Sequence, residues 1–184
     1  MSRIGYSLLI FLILVAGIQK LNAQKVTLEE ARELFFTIDK SDDGALKLYK
    51  TLENADLSKN PLMLAYRGAA SAAAAGSANG VREKLDFFNR GKGELDKAAG
   101  LKPLDAEIRF LRLATQVNAP AFLRYSSDIN SDKSMIIKTL TNVPANHANA
   151  YLYQRICSFM LTHANLESSE KTAVNQLLVK FKSK

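Results

Sequence analysis

The chain has 184 residues, of which 47% are hydrophobic, and carries a formal net charge of +7. That is enough apolar chain for one domain with its own core. The single cysteine, Cys157, excludes an intrachain disulfide framework.

The first element reads as an export signal. Arg3 opens it, an apolar run from Leu8 to Ile18 follows, and Leu21-Asn22-Ala23-Gln24 offers a small-residue cleavage position. The run is shorter than the ~20 apolar residues of a spanning helix, and no stop-transfer pattern follows it. An uncleaved anchor is the competing use of the same residues. No cysteine stands directly after the run, which excludes lipid attachment at a new N-terminal cysteine. Cleavage after Ala23 divides the chain into a signal peptide, 1–23, and a mature domain, 24–184. The mature domain is then expected in the periplasm, at the cell surface or outside the cell. Its residual positive charge invites a nucleic-acid partner, but export argues against one. Lysines solvating helix faces, or attraction to anionic envelope surfaces, account for the charge instead.

Beyond the signal, apolar spacing predicts eight helices, at about 27–39, 43–56, 61–77, 80–100, 105–117, 120–141, 145–163 and 167–182. Sustained alternation is absent, so the fold class is all-α. Thr27 and Glu30 form a capping box at the first start. Three of the four prolines, Pro61, Pro103 and Pro144, recur about 40 residues apart, each where a helix is expected to open. "KTLENAD" and "KTLTNVP" echo one another before two of these boundaries. A helical period of this length predicts four antiparallel hairpins in a stack. Asp105 is placed to cap the fifth helix and Asn118 the sixth. Gly91 and Gly93 should weaken the fourth helix and favour a bend there. The run "RGAASAAAAGSA" would let two helix backbones approach closely, although alanine also favours helix for its own reasons.

In "GKGELDKAAGLKP" the residues Gly91, Leu95, Ala98 and Pro103 stand at the offsets of the second helix of a tetratricopeptide unit. The chain resembles that family there, with Gly91 in place of alanine and Leu95 in place of phenylalanine; the first-helix signature is missing and the period is longer. From Pro61 to about Leu140, the pattern "AY-GAA … A---P---EIRFLR" is also similar to that of a group of uncharacterised exported bacterial proteins. The resemblance implies a right-handed, tetratricopeptide-like stack in the cell envelope and supplies no activity.

"FFTIDKSDDGALKLYK" poses a calcium question. Asp39, Ser41 and Asp43 fit the first, third and fifth positions of a helix–loop–helix calcium loop, Gly44 the sixth and Leu46 the eighth. Lys47 and Lys50 then occupy the ninth and twelfth positions, where carboxylates are required. A second near-match, Asp128, Asn130 and Asp132, ends on Thr139 and lacks the glycine. The Ser-Asp-Gly cluster is equally the composition of a tight turn, with Ser41 or Asp42 capping the second helix. No metal is assigned, and a calcium-responsive binding protein using the Asp39–Gly44 loop is the alternative function.

The expected function is a protein- or peptide-binding scaffold, since helical solenoids bind along a concave face. On "DAEIRFLRLATQVN", Arg109, Arg112 and Gln116 share one stripe. Tyr66 and Arg67 on one side and Arg124 and Tyr125 on the other complete a candidate grip for an acidic segment. The competing use of Arg109 and Arg112 is pairing with Glu107, Asp105 or acids of a neighbouring helix. Enzyme chemistry has little foothold. The sequence has no phosphate loop, zinc-type histidine pair or nucleophile elbow, and Cys157 lies at helically unfavourable spacings from His147 and His163. No cofactor and no catalysis are expected.

Overall fold

The computed structural model describes residues 26–38 and 43–182. Residues 1–25, which include the segment expected to be a signal peptide, 39–42 and 183–184 lie outside the described residues. Eight α-helices and no strand occur within them: α1 (Leu28–Phe35), α2 (Gly44–Leu52), α3 (Pro61–Ala74), α4 (Val81–Leu101), α5 (Ala106–Asn118), α6 (Ile129–Thr141), α7 (Ala150–His163) and α8 (Ser168–Lys182).

Local chemistry sets most of the starts. Thr27 accepts from the Glu30 amide while Glu30 reaches back to the Thr27 amide, which closes the capping box of α1. Asn60 accepts from the Met63 amide and Pro61 occupies the first turn of α3, where its missing N–H costs nothing. Asp105 accepts from the Glu107 and Ile108 amides at the head of α5. At the head of α2 the N-cap residue is Asp43, whose side chain makes no capping bond.

Two expected starts move. Pro120 opens only a short 3-10 turn, Ala121–Leu123, and α6 begins at Ile129. Asn118 does not cap it; it is the last residue of α5 and donates back to the Ala114 carbonyl. The chain leaves helical geometry here, with Arg124 at φ 50°, because Tyr125 turns inward against Phe88 and is buried. Pro144 likewise precedes a turn and not a helix. The Asn149 amide donates to His147 Nδ1, and α7 starts at Ala150. Helix α2 stops at Leu52, short of the expected end, and Arg67 Nη1 donates to the carbonyls of Leu52, Glu53 and Ala55 just beyond it.

The molecule is a single compact domain. Consecutive helices lie against each other except at α6 and α7, most extensively α3 on α4, then α7 on α8, α5 on α6 and α2 on α3. Contacts also skip one element: α1 on α3, α3 on α5, α5 on α7, and α6 on α8. One main core runs through all eight helices, with Leu48, Tyr66, Leu95, Ile108, Phe110, Ile136, Ile156 and Phe181 almost wholly buried. Each such side chain contributes about 1.5–3 kcal/mol of transfer free energy. A smaller cluster of Ala72, Phe88 and Tyr125 closes the far side of α4.

The α3–α4 seam is a backbone approach. A Cβ on Gly91 would lie 2.5 Å from the Gly68 carbonyl oxygen and 2.5 Å from the Ala72 amide nitrogen. A Cβ on Gly68 would lie 2.9 Å from the Gly91 carbonyl oxygen. Helix α4 runs uninterrupted through Gly91 and Gly93, so the first of these is a contact point and not a break.

Candidate functional site

Arg109, Arg112 and Gln116 recur along one face of α5, and that face meets α6. All three converge on Asp132, which is 0% exposed. Arg112 forms a two-pronged pair with it, Nε to Oδ2 at 2.8 Å and Nη2 to Oδ1 at 2.8 Å. Arg109 Nη1 donates to Oδ1 at 2.8 Å and Gln116 Nε2 to Oδ2 at 2.9 Å. The Gln116 carbonyl oxygen in turn accepts the Asp128 amide at the head of α6. Asp96 Oδ1 stands 3.4 Å from Arg112 Nη1, and Asp128 Oδ1 stands 3.4 Å from the same Nη2 that meets Asp132. Burial works against the Arg112 charge, yet the surrounding carboxylates outweigh it and raise its pKa above the ordinary guanidinium value. The stripe is therefore a buried fastening between α5 and α6, with its donors spent inside the fold.

The remaining candidates distribute around this fastening. Tyr125 is buried and donates to Asp96 Oδ1 at 2.9 Å; burial, then the Asp96 charge, push its pKa up. Tyr66 belongs to a second node. Its hydroxyl donates to Glu107 Oε1 at 2.6 Å, and Arg32 of α1 grips the same carboxylate through Nε at 2.8 Å and Nη2 at 2.7 Å. Glu107 thus joins α1, α3 and α5. Arg67 pairs with Glu94 of α4 at 2.8 Å. Arg124 is exposed. No buried side-chain nitrogen or oxygen among the described residues lacks a partner.

The calcium candidates divide similarly. Asp39 and Ser41 lie outside the described residues. In the second near-match, Asp128 is the N-cap residue and Asn130 and Asp132 lie within α6, so the segment is helix and the Asp132 oxygens are taken by N–H donors. Cys157 is buried and pushed up to about 12 by desolvation, far from a thiolate nucleophile.

A different surface holds a cation outside these two nodes. Phe36, Tyr151, Arg155, Ser158, Phe159 and Lys182 line a shallow groove along the outer side of α7. Tyr151 is 68% exposed. Beneath it, Phe36 stacks on Phe110 at 5.8 Å between ring centroids, and Phe159 meets the same Phe110 ring edge-on at 5.3 Å. The Arg155 guanidinium carbon lies 3.6 Å from the Phe36 ring centroid. Sequence reasoning missed this site. The available signal was "YLYQRI", which sets Tyr151 and Arg155 one turn apart, but nothing local announces that Phe36 lies opposite them.

No helix among the described residues is long and apolar enough to cross a membrane. Comparison with protein families, curated proteins and solved structures finds no match to this chain.

Proposed function

We propose that the protein is an exported helical-repeat scaffold that holds a protein or peptide partner in the cell envelope and performs no catalysis. The observation that carries the reading is the pattern of skipping contacts, α1 on α3, α3 on α5 and α5 on α7, laid over the contacts of consecutive helices. Hairpins stacked in a tetratricopeptide-like manner produce this pattern, because the first helix of each pair packs on the first helix of the next. Gly91, Leu95 and Ala98, at the offsets shared with a tetratricopeptide second helix, are buried, Gly91 directly against α3. In such a stack the odd-numbered helices form the binding face, and α7 carries its most open aromatic side chain. The signal-like pattern of residues 1–23 supports a location outside the cytoplasm for this activity.

Site-directed photocrosslinking in cell envelopes tests the reading. A photoreactive residue at Tyr151, on α7, should give a discrete protein adduct, and the same residue at Gln176, on the exposed side of α8, should not. Absence of any adduct from either position, in a protein that fractionates with the envelope, would sink the scaffold.

A further inference from the structure

The arginines of the two buried nodes are consumed. Arg32, Arg109 and Arg112 each meet a carboxylate at 2.7–2.8 Å with at most 11% of the side chain exposed. Arg155 differs from all of them. Its only ion pair among the described residues is to Glu33 Oε1 at 3.7 Å, and the Glu33 side chain is 72% exposed. That distance is beyond a hydrogen bond, and an exposed pair of this kind contributes little. What holds Arg155 is aromatic: the Phe36 ring at 3.6 Å and the Tyr151 ring at 5.8 Å. Stacking fixes the plane of a guanidinium while leaving its N–H fork free to accept an anion. Lys182 is the second cation of the groove, and among the described residues no carboxylate belongs to its lining.

We propose that this groove, on the scaffold reading given above, receives an acidic peptide segment. A Glu or Asp carboxylate of the partner docks on the Arg155 fork with Lys182 beside it. A neighbouring apolar side chain lies against Tyr151 and Phe159, and the Ser158 hydroxyl faces the segment's backbone. Charge complementarity selects this occupant. A wholly apolar helix laid over the groove would desolvate Arg155 and Lys182 without supplying an anion, which is costly. A basic segment would be repelled by both. Specificity and salt dependence come from the carboxylate, and the aromatic walls supply area with little loss of side-chain freedom.

Fluorescence anisotropy with two labelled peptides, one alternating Glu and Leu and one alternating Gln and Leu, tests the proposal on the purified protein. The acidic peptide should bind about tenfold or more tightly than its amide counterpart, the discrimination that one charged hydrogen bond provides. Arg155→Glu, shown folded by circular dichroism, should abolish that preference. Tyr151→Ala removes a side chain that is 68% exposed, leaves the core intact and should weaken both peptides. Equal affinities for the two peptides, or a preference that survives Arg155→Glu, overturn the acidic occupant. So does displacement of the acidic peptide by phosphatidylglycerol vesicles, which would give the groove to a lipid surface. If neither peptide binds while the Tyr151 crosslink still yields a protein adduct, the acidic occupant falls and the scaffold stands; if both fail, both fall.

Discussion

Gly68 and Gly91 bring the backbones of α3 and α4 together, whereas Arg109, Arg112 and Gln116 of α5 reach Asp132 of α6 through long polar side chains. The first seam gains its contact from what is missing, two β-carbons, and polar contacts serve only its flanks, at Arg67–Glu94 and Ser71 Oγ to the Phe87 carbonyl. The second seam surrounds a charge that water no longer reaches. The two should therefore fail differently. The glycine seam is intolerant of volume and indifferent to charge; the ionic seam tolerates a change of shape but not the loss of its anion.

Removing the anion is the sharpest way to break the comparison. Asp132→Ala leaves two arginines desolvated with only Asp96 and Asp128 at 3.4 Å from Arg112. Uncompensated buried charge of this kind costs about 3–5 kcal/mol, measurable by urea denaturation. Arg109→Met should cost much less, about 1–2 kcal/mol, because Asp132 keeps the Arg112 fork and Gln116. Equal losses for the two variants would mean that the seam is held by apolar packing and that the ions are passengers.

The glycine seam has an internal control two residues away. Gly91→Ala gains helix propensity but drives a methyl into the backbone of α3, which cannot rotate aside, so the net loss should be about 1–3 kcal/mol. Gly93→Ala meets nothing within 4 Å and is exposed. It should stabilise by about 0.5–1 kcal/mol. The two substitutions are chemically identical on one helix, so opposite signs in the denaturation midpoint would isolate the close approach as the cause. If both stabilise, α3 and α4 can separate at no cost and the seam is not specified by glycine.

These two seams also mark how far the sequence is legible. The all-helical class, the capping box at Thr27 and Glu30, the Asp105 cap and the Pro61 start are read correctly because each depends on residues within one turn. The small-residue run in α3 reads correctly too, since close approach needs small side chains wherever the partner lies. The starts of α6 and α7 are misread because Pro120 and Pro144 permit a helix without compelling one, and the burial of Tyr125, a tertiary event, decides the first case. The polar stripe on α5 is visible as a stripe, but its direction is not. Arg109 and Arg112 look alike on the page whether they face solvent or Asp132, and only the docking of α6 distinguishes them. The same holds for Arg155, whose stacking partner Phe36 comes from the other end of the chain.

The joint between the seams is Glu107, and Tyr66 is its most informative member. Tyr66 lies on α3, just before the run that packs on α4, and its hydroxyl ties to α5. Burial, then the Glu107 carboxylate, raise its pKa well above the ordinary phenol value of 10.0. A raised folded-state value means that the neutral phenol is the form the fold holds. Its contribution is fully present below pH 10 and is lost as pH rises toward the folded-state value, because the unfolded chain releases the proton first. Melting temperature should therefore fall as pH climbs above about 10. Tyr125, raised for the same reason beside Asp96, adds to the slope. Tyr66→Phe should cost about 1 kcal/mol at neutral pH, since Arg32 still satisfies Glu107, and should flatten part of the alkaline decline. A decline unchanged in both Tyr66→Phe and Tyr125→Phe would place the alkaline weakness elsewhere, and with it the idea that a buried phenol links the glycine seam to the ionic one.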